Sequence, residues 1–455
     1  MNHNITAGFV GFGEVNTPKD IIEKKCRQAG ALVESLGISI LAAGTVADDP
    51  GGKQADRAIA KLKKMDFDFL IVCVAGWIPS WAILRVIEPF KHKPMLLWGL
   101  TGYREGDRFI TTADQAGTTA LRKPMRDMNF RFKYVVNRLG KKANVEEIIS
   151  FARAAAALEK LRQAKIGMAG YRDMRLYGTL YDGVSLKGRI GPEIEHFDLL
   201  EIAQSMESIT DADIAAPISH ARKNWKFIKK PRPETLRKTA RLYLALKHKI
   251  EERGYEAISY SDVDGIKKLL KFAPAGALTL LHDNMDICSI PENDSLGAVT
   301  QLITRFLTGQ VAAYLEFYEF TPKGALMGVP DYVPGEIVKG KVTVLPNAFG
   351  DFGEGLLNVS KLKTGPVTIA RLGYNGNDYF LHVMTGTAKT PLQWEEAGWA
   401  PPAPRLPSLE IDFDSDPDNF IQNVLGQHYI LAYGDQLRQY RDLCSLLDIR
   451  LINDK

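Results

Sequence analysis

Phe69-Leu70-Ile71-Val72-Cys73-Val74-Ala75, followed by Gly76-Trp77-Ile78-Pro79-Ser80-Trp81, is the stretch that decides the fold of this chain. Seven uncharged residues, rich in β-branched types and closed by a glycine and a proline, predict a strand buried on both faces. The charge-free run continues to Leu84, but it is short and Gly76 and Pro79 divide it, so it reads as strand, loop and helix and not as a membrane span. A strand buried on both faces needs helices on either side. Residues 8–12, 38–41 and 94–98 read as further strands, and 21–36 and 56–65 as amphipathic helices between them. Repeated strand and helix predict a parallel, doubly wound sheet, assigned to an N-terminal α/β domain of residues 1–164. Gly11-Phe12-Gly13 looks like the opening of a dinucleotide fingerprint. The third glycine is missing, however, and Glu14 stands where a pyrophosphate would sit, so nucleotide binding is not expected.

Beyond this domain an Ala- and Leu-rich helix, 145–163, leads into the strand 165–170, which opens a second α/β domain of residues 165–335. A long helix (233–254) and a strand (257–260) belong to it. After Pro334 the texture changes. Short β-prone runs at 341–345, 367–372 and 378–386, separated by Gly, Asn and Pro, predict a C-terminal antiparallel β domain of residues 336–455 closed by a helix at 436–448. Ala400-Pro401-Pro402-Ala403-Pro404 reads as an extended linker. The fold class expected is therefore α/β, with two doubly wound parallel-sheet domains followed by an antiparallel β domain.

A chain of 455 residues supports sizeable cores, and a net charge of only +4, with scattered basic residues, advertises no nucleic-acid groove. Four separated cysteines without a CxxC pair argue against a zinc knuckle and a disulfide scaffold. The N-terminus lacks a basic region followed by an unbroken apolar one. A cytoplasmic protein acting on a small molecule, with neither nucleic acid nor membrane as partner, is the expectation.

The chemistry concentrates in three places. In Leu281-His282-Asp283-Asn284-Met285-Asp286-Ile287-Cys288-Ser289-Ile290-Pro291-Glu292-Asn293-Asp294 a strand-like approach and a turn set two acids before a helix at 297–306. Asp294 reads as the helix N-cap. Glu292 is either a second helix-end acid or a metal ligand held ionised by the helix dipole. Glu316 ends the strand-like 312–315 among Leu315, Phe317 and Tyr318, where a carboxylate needs a partner. Glu319 is the less suitable ligand, since it faces the opposite side of a strand. His428, in Gly426-Gln427-His428-Tyr429, completes two carboxylates and an imidazole, a common way to hold a divalent metal with positions open for substrate oxygens.

These residues resemble the L-fucose and L-arabinose isomerases and their shorter relatives. The resemblance rests on Ile194-Glu195-His196-Phe197-Asp198, Pro291-Glu292-Asn293-Asp294 followed by Gly297-Ala298, Glu316, and Gln427-His428-Tyr429 with Gly434-Asp435. It implies that Glu292, Glu316 and His428 bind a divalent metal, usually manganese, that the two acids handle the proton, and that the protein forms homotrimers or homohexamers with shared sites. Arabinose isomerases carry a further histidine where Leu326 stands here; three ligands, or help from Asp331, are the alternatives. An aldose–ketose isomerase working through a cis-enediolate is the reaction implied. The second reading is an altered relative that binds a sugar or sugar acid without turning it over. A periplasmic sugar-binding protein is disfavoured by the N-terminus and the extra β domain.

Trp77 follows a strand at the carboxyl edge of the first sheet and is a candidate for stacking on a sugar; core packing suits Trp81 better. Gln427 is a candidate for a sugar hydroxyl, with turn packing as its alternative. His196 and His282, in apolar settings, read as satisfied core histidines. Asp412, Asp414, Asp416 and Asp418 mimic a calcium loop, but lack its glycine and closing glutamate and read as a solvated acidic loop.

Overall fold

The structure, a computed structural model, describes residues 5–329, 332–348, 353–391 and 406–453. It divides into two compact units, one of Met1–Glu159 with Arg438–Asp448 and one of Lys160–Leu437 with Ile449–Lys455.

The first unit is built on β1 (Thr6–Phe12), β2 (Ser39–Val46), β3 (Phe69–Val74), β4 (Met95–Gly99) and β7 (Phe132–Val136), with β5 (Tyr103–Glu105) and β6 (Arg108–Ile110) as a separate hairpin. The five-stranded sheet is parallel, in the order β2-β1-β3-β4-β7. As the uninterrupted apolar run predicts, β3 lies mid-sheet and is buried at every residue. The chain reverses direction of winding between β1 and β3, so a crevice opens at their carboxyl ends. Gly11 and Gly13 flank that crevice for a packing reason. A Cβ at Gly11 would come within 2.4 Å of Cys26 Sγ, and one at Gly13 within 2.5 Å of Ile22 Cδ1. These glycines let the Lys19–Ser35 helix lie close on the strand.

In the same crevice the buried Lys25 ammonium donates to Ala75 O at 2.6 Å and Thr112 Oγ1 at 2.7 Å and pairs with Asp114. The Leu437–Leu447 helix counts with this unit: Asp442 accepts from Lys133 at 2.7 and 2.9 Å and from Ser150 Oγ, and Arg438 Nη1 reaches Glu146 at 2.6 Å.

The second unit holds a parallel sheet in the order β12-β11-β8-β9, from β8 (Lys165–Ala169), β9 (Glu193–Phe197), β11 (Ala257–Tyr260) and β12 (Cys288–Ile290). A small sheet joins β10 (Lys226–Phe227) to β15 (Thr343–Ala348) and β16 (Glu354–Asn358). The Pro233–Arg253 helix starts on proline at its first turn and stops at Gly254, whose φ of +67° closes the helix end without steric cost.

The rest of the unit is a closed antiparallel barrel. β13 (Ala313–Thr321), β14 (Gly324–Gly328), β17 (Gly365–Tyr374), β18 (Tyr379–Lys389), β19 (Ser408–Phe413) and β20 (His428–Tyr433) pair in the circuit β17-β20-β13-β14-β19-β18 and back to β17. The short β21 (Arg450–Ile452) adds in parallel along β18 beside β19. Closure leaves the six barrel strands no long free edge. β13 and β14 precede the compositional change at Pro334, so the barrel begins well before the sequence looks β-rich. Its interior holds Leu315, Met327, Ile369, Met384, Phe420 and Leu431. His382, inside β18, is fully buried with Nδ1 2.8 Å from Tyr429 OH.

Four local expectations change. Leu281 to Met285 is not a strand-like approach but the end of the Ala275–Met285 helix, whose residues through Leu281 are all buried. Glu316 lies inside β13 and not at its end, because the strand continues to Thr321 against β14. A bulge between Phe317 and Glu319 breaks the side-chain alternation, so simple two-residue counting does not apply to Glu319, which is exposed. The acidic run is also more ordered than a solvated loop: Asp412 lies in β19, and Asp416 caps the Pro417–Gln422 helix through the Asp418 N–H.

Candidate active site

The site grows from the carboxyl end of β12, where the chain turns through Pro291, Glu292 and Asn293 into the Ser295–Thr308 helix. Glu292 and Asn293 both hold left-handed backbone, with φ of +69° and +46°. Two consecutive non-glycine residues in that region cost free energy, and such strain concentrates at functional sites. The turn is held by Asn293, whose Nδ2 donates to Ala169 O and Tyr171 O at 2.8 Å each, tying it to the end of β8. Asp294 caps the helix as expected, accepting from Gly297 N at 2.9 Å.

This turn brings Glu292, 7% exposed, against His428, 2% exposed, with Oε2 3.7 Å from Nδ1. Glu316 enters from β13, where strand pairing sets it directly opposite His428 on β20. Two of the three expected ligands thus approach as a pair and the third adjoins through register. Among the described residues, no group of three or more His, Cys, Asp or Glu side chains is arranged to hold a metal ion. The donor set suits a hard divalent cation by chemical type, yet it does not converge into a preformed cage. Asp331 and the stretch 400–404 lie outside the described residues. Leu326 is buried in β14, with Glu319 and Glu410 as its register partners.

Burial pushes the His428 imidazole down to about 3, with the Arg371 guanidinium acting in the same direction and Asp294 opposing both. His428 is therefore neutral across the physiological range, with a lone pair available. Burial raises the Glu316 carboxyl above its ordinary value. Burial would also raise Asp294, but Arg371 and the Gly297 N–H outweigh it and hold that carboxyl below its usual range.

Two residues that sequence reasoning passed over complete the surroundings. Arg371 on β17 grips Asp294 with both terminal nitrogens, Nη2 to Oδ1 at 2.9 Å and Nη1 to Oδ2. Tyr314 OH donates to Asp294 Oδ2 at 2.9 Å, and its ring stacks on His428 with centroids 4.1 Å apart and planes 16° apart. The signal available for Arg371 was a cation in the otherwise apolar Val367-Thr368-Ile369-Ala370-Arg371-Leu372, since a charge in a buried strand requires a partner. Nothing in the sequence names that partner.

Gln427 is exposed beside His428, and its carbonyl accepts from Phe317 N at 3.0 Å. Trp77 belongs to the first unit and is 40% exposed. Trp81 is 50% exposed, so core packing does not describe it. His196 is likewise exposed and not a core residue; Nδ1 lies 3.0 Å from Gly170 O and Nε2 3.2 Å from Tyr181 OH, so its polar partners rather than an apolar setting hold it. His282 is partly buried, which lowers its imidazole below the ordinary value.

No protein-family model matches the chain. Solved sugar-binding proteins, a periplasmic one from Legionella pneumophila (11% identity, TM-score 0.19, 67% of this chain and 96% of that one) and a solute-binding protein from Agrobacterium vitis (14%, 0.18, 68% and 90%), score too low to speak for a shared fold. Among curated proteins, the chain is similar to the sulfoquinovose isomerases of Priestia aryabhattai and Priestia megaterium, 22% identical to each over 382 residues that cover 81% of this chain and 81% of theirs.

Proposed function

We propose that this chain is a cytoplasmic sugar isomerase that interconverts an aldose and a ketose, with the fold of the L-fucose and L-arabinose isomerases and its centre at Glu292, Glu316 and His428. The observation that carries the reading is the approach of a strained, buried glutamate to a neutral imidazole at 3.7 Å, with a second carboxyl opposite that imidazole on the neighbouring strand. The similarity to two sulfoquinovose isomerases along 81% of the chain supports the reaction class. No helix among the described residues is long and apolar enough to cross a membrane.

Aldose–ketose isomerisation moves one proton between adjacent carbons. The C–H bond beside the carbonyl breaks, its electron pair forms a cis-enediolate, and the neighbouring carbon takes the proton while the two oxygens exchange theirs. Glu292 and Glu316 are the proton carriers. A carboxyl raised by burial, as Glu316 is, stays protonated to higher pH and suits the half of the cycle in which a proton is given. Gln427 offers an exposed amide to a sugar hydroxyl, and Trp77 a ring to a sugar face in a site shared between copies of a homotrimer or homohexamer. On donor chemistry alone, Glu292, Glu316 and His428 would hold a divalent cation, manganese by type, which would supply polarisation of the sugar carbonyl.

A second reading is a relative that binds a sugar or sugar acid without turning it over. The observation in its favour is Leu326, an aliphatic side chain buried where the resemblance expects a metal-binding histidine.

The test measures metal content and isomerisation of pentoses, 6-deoxyhexoses, acidic sugars and sulfoquinovose by wild type, Glu292→Gln and Glu316→Gln. Turnover of at least one sugar is expected, falling about 10²–10⁴-fold in each variant, with a bound divalent metal reduced in Glu292→Gln. Absence of metal, together with Glu292→Gln leaving every property unchanged, overturns the assignment.

A further inference from the structure

Asp294 follows Glu292 by two residues, and its carboxylate is saturated by Gly297 N and Tyr314 OH at 2.9 Å each and by the two-pronged grip of Arg371. Arg371 is 2% exposed and does more than pair. Its Nη2 also donates to Gly178 O at 3.2 Å, in the loop that follows β8 and carries Tyr171 and Tyr177. Its Nε faces Gly426, two residues before His428, where a Cβ would come to 3.4 Å. Among the described residues that Nε has no hydrogen-bond partner. The neighbouring Leu372 N is tied to Thr300 Oγ1 at 2.9 Å, fixing β17 to the helix that Asp294 caps.

One guanidinium therefore reaches, directly or through Asp294, the turn, strand and loops around the site. It holds the turn carrying Glu292 through Asp294, the plane of His428 through Asp294 and the Tyr314 ring, and the loop after β8 through Gly178, and it lies against the turn preceding His428 at Gly426. A buried ion pair adds little net stability compared with apolar residues of similar volume. What it supplies is direction, because a planar fork bonded to two carboxylate oxygens has one geometry.

We propose that Arg371 is the positioning residue of the active site, setting the Glu292 carboxylate and the His428 ring in register through Asp294 and Tyr314 without itself touching substrate. The proposal rests on the reading of Glu292 as a proton carrier in a centre shared with His428. It assigns the array two consequences that a merely structural pair lacks. Lysine in place of Arg371 keeps the charge but not the fork, and so does not restore function. An apolar replacement of both partners restores stability but not catalysis.

The experiment compares wild type, Arg371→Met, Arg371→Lys and the double variant Asp294→Leu/Arg371→Met, each as the full chain. Readouts are thermal melting, kcat and KM for sulfoquinovose, and the aromatic proton NMR of His428, identified by its loss in His428→Gln. In wild type the stacked Tyr314 ring displaces the His428 ring protons upfield. Expected are a kcat lower by about 100-fold with KM nearly unchanged in every variant, as for a misplaced reacting group, recovery of the melting temperature in the double variant, and loss of the upfield displacement in all three. A folded Arg371→Met or double variant that keeps the His428 ring displacement overturns the proposal, whichever sugar is the substrate, and so does one that keeps kcat within about threefold, well inside the positioning effect. Should Glu292→Gln retain full activity, the underlying reading fails instead; a dead Glu292→Gln beside an unaffected Arg371→Met removes only the positioning role.

Discussion

Glu292 lends itself to a test that separates function from structure by thermodynamics alone. Its backbone sits at φ +69°, where a residue with a Cβ pays about 1–2 kcal/mol and glycine pays none. Glycine also loosens the unfolded chain, which costs about 0.4–1 kcal/mol. Glu292→Gly should thus be about 0.5–1 kcal/mol more stable than Glu292→Ala, the difference of those two effects. Both variants should lose isomerase activity by about 10²–10⁴-fold. Urea unfolding of the three proteins, followed by far-ultraviolet circular dichroism beside activity on the most rapidly converted sugar, measures both quantities. A glycine variant no more stable than Glu292→Ala would show that the left-handed backbone at this turn carries no cost and would refute the reasoning.

Three further outcomes are expected. Because Arg371 and the Gly297 N–H hold Asp294 below its ordinary 3.8 against the effect of burial, its stabilising contribution is complete above that value and is lost as pH falls through the lower folded value; acid unfolding of wild type should be steeper below pH 3.8 than that of Asp294→Ala/Arg371→Met, and equal slopes contradict the pairing. In the first unit, Asp442→Ala takes one of two carboxylates from the Lys133 ammonium, leaving Glu147, and removes the acceptor of the buried Ser150 hydroxyl, and should cost about 2 kcal/mol in chemical denaturation; a change below about 0.5 kcal/mol, typical of surface positions, speaks against it. Trp77→Ala should raise KM without lowering melting temperature, since the ring is 40% exposed, and mixing it with Glu316→Gln should regenerate activity if sites are shared between copies; absence of complementation in reassembled oligomers confines the site to one chain.

Parts of this structure were legible because the signal was local. The Val145–Gln163 helix and the Ala257–Tyr260 strand have the limits that periodicity suggests, and Phe69 to Val74 is the central strand that its unbroken apolar run requires. The Ala275–Met285 helix was misread in its last turn because its residues through Leu281 are buried on every side, and a helix without a polar face cannot be distinguished by period from a buried strand. β13 was cut short at Glu316 because its second half is stabilised by β14 across a bulge, a tertiary contact without a local signature. Asp294 announced itself as a cap, a relation of three residues. Its union with Arg371, 77 positions away, depends on β17 packing against the helix that Asp294 caps, which no window of sequence contains.

The Leu437–Leu447 helix belongs to the first unit, whereas β21, directly after it, returns to the barrel. During synthesis the ribosome therefore releases Met1–Glu159 long before the segment that supplies Asp442 to Lys133 and Ser150 exists. The nascent N-terminal unit must wait, incomplete, while the whole second unit is translated. A chaperone that engages the exposed seat of that helix, or a permuted gene that places residues 438–448 directly after residue 159, should change the yield of folded protein far more than any change at the active site.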